Sequence, residues 1–147
     1  MDLREYTRIT LRGLPGVMVI VENVREDAEA AGLNVAELQS TIERQLGDAD
    51  IPVIPHGEWR ETSGRPWLYV SVNTLKYPTG YFFSLDLQLK QEVSLRREPT
   101  LVTSSATWEI GSVGFAGAEN LHARVGESVS KFLGDFISDY AIANSDA

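Results

Sequence analysis

Side chains able to do chemistry are few in this 147-residue chain, and none is a cysteine. That removes thiol nucleophiles, disulfide scaffolds, zinc fingers and iron–sulfur clusters from expectation. His56 and His122 supply the imidazoles. His56-Gly57-Glu58 matches the His-x-Glu half of a zinc deaminase signature, whose other ligands are cysteines. Without them His56 reads as a solvated loop residue. His122 falls in the first turn of a long helix, where the dipole disfavours a cation, so core edge or surface suits it better than metal ligation. Ser104 and Ser105 would need a histidine base to act as nucleophiles. No Gly-x-Ser-x-Gly elbow accompanies them, and Thr103–Thr107 reads as strand.

Gly111-Ser112-Val113-Gly114-Phe115-Ala116-Gly117 joins a strand to a helix start, where backbone N–H groups can hold phosphate. Its spacing is neither the dinucleotide fingerprint nor the phosphate loop. Glu119 at the helix start would also compete with an anion. The glycines read better as breaks that end the strand and let it bend into a packed helix. Glu26-Asp27-Glu29 and Asp48 with Asp50 lack the spacing of a calcium loop. The expectation is a non-enzymatic chain with no catalytic residue, metal or cofactor.

Aromatic and arginine residues say more. Trp59 lies with Arg60 and Arg65 in a polar stretch. Tyr77 begins a turn, and Phe82 falls on the otherwise polar side of the strand that follows. Exposed aromatics and arginines are typical interface anchors. Trp59, Arg60, Arg65, Tyr77 and Phe82 are therefore the candidate partner-binding residues. The plainer alternative is that Trp59 and Phe82 cap the end of a sheet beneath the 56–65 loop.

The elements that must position them follow from periodicity. Thr7–Leu11 suits a short edge strand, and Val17–Val24 a buried strand. Asp27–Ala31 suits one helical turn closed by Gly32. Asn34 and Glu37 form a capping-box pattern ahead of Val35, Leu38, Ile42 and Leu46, a helical stripe that Gly47 would end. Ile51–Ile54, broken by Pro52, suits a short edge strand. Trp67–Thr74 and Tyr81–Arg96 form a hairpin across Lys76–Gly80. In the second strand Tyr81, Phe83, Leu85, Leu87, Leu89, Val93 and Leu95 share a side, with Gln91 its one polar member, and mostly polar residues take the other. Such alternation means one dry face and one wet face. At about 3.3 Å per residue the strand spans about 50 Å, so it must bend, bulge or overhang its neighbours. Leu101–Val113 follows, with Val102, Ala106, Trp108 and Ile110 assigned to one side. Glu119–Ala143 is a helix of about 36 Å, striped by Leu121, Val125, Val129, Phe132, Phe136 and Tyr140.

The expected fold is a single α+β domain over residues 1–147, with its core at 14–144. It has two layers: an antiparallel-dominated sheet of four to six strands, and two helices on one face. The order is β-α-β-β-β-β-α, and the first two strands are joined as a parallel crossover.

The formal net charge is −8. It is concentrated: residues 22–50 carry −6 and residues 109–147 carry −4, while 1–21 and 51–108 carry +1 each. The acid thus falls in the blocks that contain the helices, and nucleic acid is a poor partner for it. No apolar run approaches the 18 residues of a membrane span, so no membrane insertion is expected. The charged start Met1-Asp2-Leu3-Arg4-Glu5 reads as no signal peptide.

The β-α-β unit with its proline-broken strand, Trp67-Leu68-Tyr69-Val70-Ser71-Val72, Thr107-Trp108 ahead of Gly111, and Phe136-Ile137-Ser138-Asp139-Tyr140 with Asn144 form a pattern. It resembles a family of uncharacterised bacterial proteins that often carry export signals. The arrangement is also similar to the small α+β domain at the N-terminus of the periplasmic protein TolB and its lipoprotein relatives. The resemblance covers roughly residues 14–144. It implies a cell-envelope setting, periplasmic or secreted, with the cytoplasm as the alternative, and a binding or scaffolding role.

Two functional expectations result. One is a non-enzymatic binding or scaffold module with a protein partner, using the uncovered sheet face and the 56–65 loop. The other is a carrier of a small apolar ligand, with Tyr81, Phe83, Trp108, Phe132 and Phe136 lining a pocket between sheet and helices. Pairing of two copies through a sheet edge or face would hide Phe82, so a homodimer is open as well.

Overall fold

The alternating strand becomes the second-last member of a four-stranded mixed sheet. The computed structural model describes residues 2–145; Met1 lies outside them. Strands β1 (Met18–Val21), β2 (Trp67–Tyr77), β3 (Gly80–Leu95) and β4 (Glu98–Ala116) lie side by side in that order. β1 and β2 are parallel; β2, β3 and β4 form an antiparallel meander. The helices are α1 (Leu3–Arg8), α2 (Glu26–Ala30), α3 (Val35–Asp48), α4 (His56–Trp59) and α5 (Leu121–Ala143). The class is α+β, as its pattern implies.

Tyr81, Phe83, Leu85, Leu87 and Leu89 of β3 are all buried, while the residues between them are exposed or half-buried. They share one core with Leu68, Val70 and Val72 of β2, Leu38, Ile42 and Leu46 of α3, and Val125, Val129, Phe132, Leu133 and Phe136 of α5. Each such side chain contributes on the order of 1.5–3 kcal/mol by leaving water. Among the described residues no helix lies over the alternate residues of β2 and β3 on the other face of the sheet, and it is the face considered below.

β3 resolves its excess length by overhanging β2. Its ladder with β2 stops at Trp67↔Lys90, so residues 91–95 continue with β4 as a two-stranded ribbon. The 56–65 segment braces the root of this ribbon: Glu92 N–H donates to Gly64 O at 2.8 Å, and the Arg65 guanidinium lies 3.7 Å from the Glu92 carboxylate. A bulge in β4 leaves Thr107 without a cross-strand partner, because Leu89 faces Trp108 and Lys90 faces Ala106. Gln91, the polar exception on the dry side, holds this bulge. Its amide donates to Thr107 Oγ1 at 2.9 Å and Thr10 O at 3.2 Å.

Several elements differ from expectation. Thr7–Leu11 is no strand: Thr7 and Arg8 close α1, and Ile9–Leu11 is a 3-10 turn. Asp2 caps α1, accepting from Glu5 N–H at 2.8 Å while the Glu5 carboxylate accepts from Asp2 N–H at 3.3 Å. That reciprocal box outweighs the β-branched residues behind it. Ile51–Ile54 contributes only a parallel bridge, Val17↔Val53, since Pro52 and Pro55 have no N–H to extend a ladder. The helix striped by Leu38, Ile42 and Leu46 passes Gly47 to end at Asp48, and Asp50 takes the left-handed turn at φ 59°. Asn34 caps it from Glu37 N–H, but the return bond of a capping box is replaced: Asn34 N–H donates to His122 Nδ1 at 3.2 Å. The 56–59 stretch is helical rather than open loop.

β4 runs straight through Gly111 and Gly114 to Ala116. These glycines make room across the ladder rather than ending it. A Cβ at Gly114 would stand 2.6 Å from Phe83 Cζ, and one at Gly111 would stand 2.5 Å from Asp86 Oδ1. The bulge also divides the side assigned to Val102, Ala106, Trp108 and Ile110. Cross-strand partners share a face; Trp108 and Ile110 stand with Leu89 and Leu87 on the core side, Ala106 and Val102 with Lys90 and Ser94 on the other.

The C-terminal residues of the pattern described above form a clamp on the N-terminal segment. Asp139 is buried, 5% exposed. Its carboxylate accepts from Trp108 Nε1 at 2.9 Å and Arg8 Nε at 3.0 Å. Asn144 accepts from Gly13 N–H at 2.8 Å and donates to Leu11 O at 3.0 Å. Trp108 meets Phe136 edge-on at 5.3 Å.

Asp139→Ala is expected to cost about 2 kcal/mol, because it leaves the buried Trp108 N–H without an acceptor; urea denaturation measures the loss, and Asp139→Asn should retain part of it. Gly114→Ala is expected to cost about 1–3 kcal/mol through overpacking against the Phe83 ring. Gly111→Ala should cost less, since the exposed Asp86 carboxylate can swing away. Equal losses in the two glycine variants would contradict this account.

Candidate functional site

The uncovered sheet face carries two side-chain clusters at opposite ends of β2. Tyr77 and Phe82, both candidates from the sequence, meet at the hairpin end with ring centroids 5.5 Å apart. Phe82 then meets Phe115 of β4 at 4.8 Å, its cross-strand neighbour in the register. Leu75 and Val113 flank them. All five are exposed, Val113 to 84% and Leu75 to 62%. Leu75, Phe82, Val113 and Phe115, together with Asn73 and Ser84, shape an apolar groove of about 600 Å³, and Tyr77 stands beside it against Phe82.

Parity explains why these residues share a face. Leu75 pairs with Phe82, Phe82 with Phe115, and Ser84 with Val113. The groove floor is low where Ser84, a small residue, lies opposite Val113. Leu75, Val113 and Phe115 escaped the sequence reading. β2 continues three residues past Thr74, and β4 continues through the glycines. Alternation counted through Phe115 would have found them.

Trp59, Arg60 and Arg65 lie apart from this groove. They sit beside the start of β2, and Trp67 to Tyr77 spans about 30 Å of strand. Trp59 is half-buried, and its indole N–H donates to Pro66 O at 3.2 Å. Arg65, at φ 43°, donates through Nε to Arg60 O at 3.0 Å. The five candidates thus divide into a hairpin-end pair and a 59–65 group that shapes its own loop and braces the ribbon. Phe82 is not under that loop.

Near the 59–65 group lies the second cluster. Lys90 Nζ stands 5.1 Å from the Trp67 ring centre and 4.8 Å from that of Tyr69, within range of cation–π attraction. The Tyr69 hydroxyl donates to the Glu22 carboxylate, which also accepts from Ser71 Oγ at 3.2 Å. The hydrogen bond to Glu22 raises the Tyr69 phenol above its ordinary pKa, with burial adding to it, because both favour the neutral O–H.

Tyr81, Phe83, Trp108, Phe132 and Phe136, expected to line a pocket between the layers, are buried members of the single core. The apolar groove lies on the opposite face of the sheet. His122 packs between helices, with Nε2 3.5 Å from Glu37 Oε2. Among the described residues no group of three or more His, Asp or Glu is arranged to hold a metal ion, and no helix is long and apolar enough to cross a membrane. No protein-family model, curated protein or solved structure matches the chain.

Glu22→Gln is expected to lower the Tyr69 pKa towards the ordinary phenol value, read by ultraviolet absorbance in alkaline titration. A raised pKa means that the fold favours the protonated phenol. The stabilisation is therefore present at neutral pH and lost as pH climbs through the raised value. An unchanged phenol titration in Glu22→Gln would remove Glu22 as the cause.

Proposed function

We propose that this chain is a non-enzymatic binding module that holds a protein partner against the hairpin end of its uncovered sheet face. The observation that carries this reading is the contiguous exposed cluster of Leu75, Tyr77, Phe82, Val113 and Phe115. Scattered apolar residues on a surface need no explanation, but a contiguous patch rimmed by polar groups marks an interaction site. Interlocked aromatic rings present large area with little rotamer freedom left to lose, which suits an anchor. The partner's matching chemistry is an apolar or aromatic side chain that enters the groove.

The rest of the domain supports this placement. None of the residues lining the groove is charged, so an apolar partner side chain meets no ion there. A setting in the bacterial cell envelope rests on the resemblance of residues 14–144 to exported domains. Within this reading the 59–65 group keeps its loop folded rather than touching the partner.

Site-specific photo-crosslinking in the source organism tests the proposal. A photoreactive residue at Val113 should capture a defined protein, and one at Asp48 should not. Phe82→Ser should weaken that protein's affinity at least tenfold when both are purified, and Trp59→Ala should leave it unchanged. Equal capture from both positions, or affinity indifferent to Phe82→Ser, would overturn the reading.

A further inference from the structure

We infer that β4 is the joint of a homodimer, in which residues 109–115 of two copies pair antiparallel and extend the sheet to eight strands. This goes beyond the partner groove, since it rests on the sheet edge rather than the sheet face.

The first observation is an asymmetry between the two edges. The outer side of β1 is engaged: just before it Val17 N–H donates to Pro52 O at 3.0 Å and Ile54 N–H to Val17 O at 2.8 Å, and within it Val19 O accepts from the Gln39 amide at 2.9 Å. β4 is the opposite edge and the longest strand, 19 residues. From Thr100 to Ala116 it contains no Lys, Arg or Pro, and Glu109 is its one charge. Exposed edges are ordinarily blunted by such residues. Glu109, Gly111, Ser112, Val113 and Phe115 are all exposed.

The second observation is where the unused backbone groups point. Glu92 N–H donates to Gly64 on the β2 side, and Val70 O accepts from Glu22 N–H on the β1 side. Antiparallel ladders alternate their bonding side at every residue. With these cross-strand registers, odd-numbered β3 residues from Tyr81 to Leu89 therefore bond β4 through its even-numbered residues. The N–H and C=O groups of Glu109, Gly111, Val113 and Phe115 are left aimed at the open edge. Upstream the run stops at the Thr107 bulge, where Thr10 Oγ1 reaches Thr107 O at 3.4 Å. Downstream it stops where β4 ends at Ala116.

The third is that this run fits a copy of itself. A two-fold axis normal to the sheet at Ser112 sets Glu109 opposite Phe115, Gly111 opposite Val113, and Ser112 opposite Ser112 of the second copy. All four outward-bonding residues then pair with outward-bonding residues. A centre moved to 111 or 113 leaves one of them unpaired. The single charge faces an aromatic ring instead of its own copy. Val113, the most exposed apolar side chain of the groove, comes diagonally beside Val113 of the second copy, so the two grooves join into one apolar band. A seven-residue ladder alone is smaller than a standard interface, and the edge side chains Val113 and Phe115, set against the second copy, add to it.

The absence of cysteine gives a test of register as well as association. Ser112 would form a non-hydrogen-bonded pair with its copy, Cα atoms about 4.5 Å apart, within disulfide reach. Ser112→Cys should form a covalent dimer on mild oxidation, whereas Ser63→Cys should not. Sedimentation of the unmodified chain should show a dimer. Val113→Pro, which removes an N–H that the β3 ladder does not use, should shift it to monomer. If that variant fails to fold by circular dichroism, Val113→Lys serves instead, by placing two like charges beside each other. Phe82→Ser leaves the edge backbone intact and should remain dimeric, which separates this proposal from the groove. A monomer at all concentrations, or a dimer indifferent to both Val113 variants, would overturn the inference, as would Ser112→Cys that crosslinks no better than Ser63→Cys.

Discussion

Everything in this fold depends on one strand with a dry side and a wet side. β3 buries Tyr81, Phe83, Leu85, Leu87 and Leu89 against α5 and its neighbours, and it cannot bury the residues between them without desolvating Asp86, Gln88 and Lys90. A second helical layer is therefore unavailable to the sheet. The same parity propagates through the registers into β2 and β4, because cross-strand partners share a face. One constraint thus sets where the helices lie and which surface stays open. Phe82 and its neighbours break the polar pattern of that surface only at the hairpin end.

The bulge at Thr107 is the second determinant. An uninterrupted β4 would carry Ala106 and Trp108 on the same side. With Thr107 unpaired, Trp108 turns to the core and Ala106 away from it. Trp108 then reaches Asp139, and Asp139 reaches Arg8, so the N-terminal helix is tied down through a polar group that would be costly to bury alone. Gln91 fits the same arrangement. A glutamine on a dry face reads as a defect until its amide is seen to bind the bulge and the 3-10 turn together.

Local signals with a single dominant cause were legible in the sequence. The alternation of β3, the stripe of α3 with Asn34 as its cap, and the stripe of α5 all emerged as read, as did the overhang that the length of β3 demanded. Competing local signals were misread. Thr7, Ile9 and Thr10 favour strand, but the Asp2–Glu5 box starts a helix before them. Gly111 and Gly114 suggest a break, yet their lack of a side chain is what admits Phe83 and Asp86 from the next strand. Such a contact has no trace in a single strand's own residues. The groove was half legible for the same reason: Tyr77 and Phe82 stand out beside their turn, whereas Val113 joins them only through its register with Ser84, and Phe115 only once β4 is known to continue past Val113.

Face and edge meet at Val113 and Phe115, and this limits how the surface can be used. Both residues display side chains to the groove and backbone groups to the open edge. A strand added at the edge would wall one side of the groove without filling it, since the added residues lie in the plane of the sheet while the groove opens above it. An isolated groove on a four-stranded sheet has an open flank at β4. Flanked by a further strand it becomes a deeper trough whose floor is still Ser84. Edge pairing and groove occupancy therefore favour one another geometrically, because each is helped by the low, uncharged surface around Ser84.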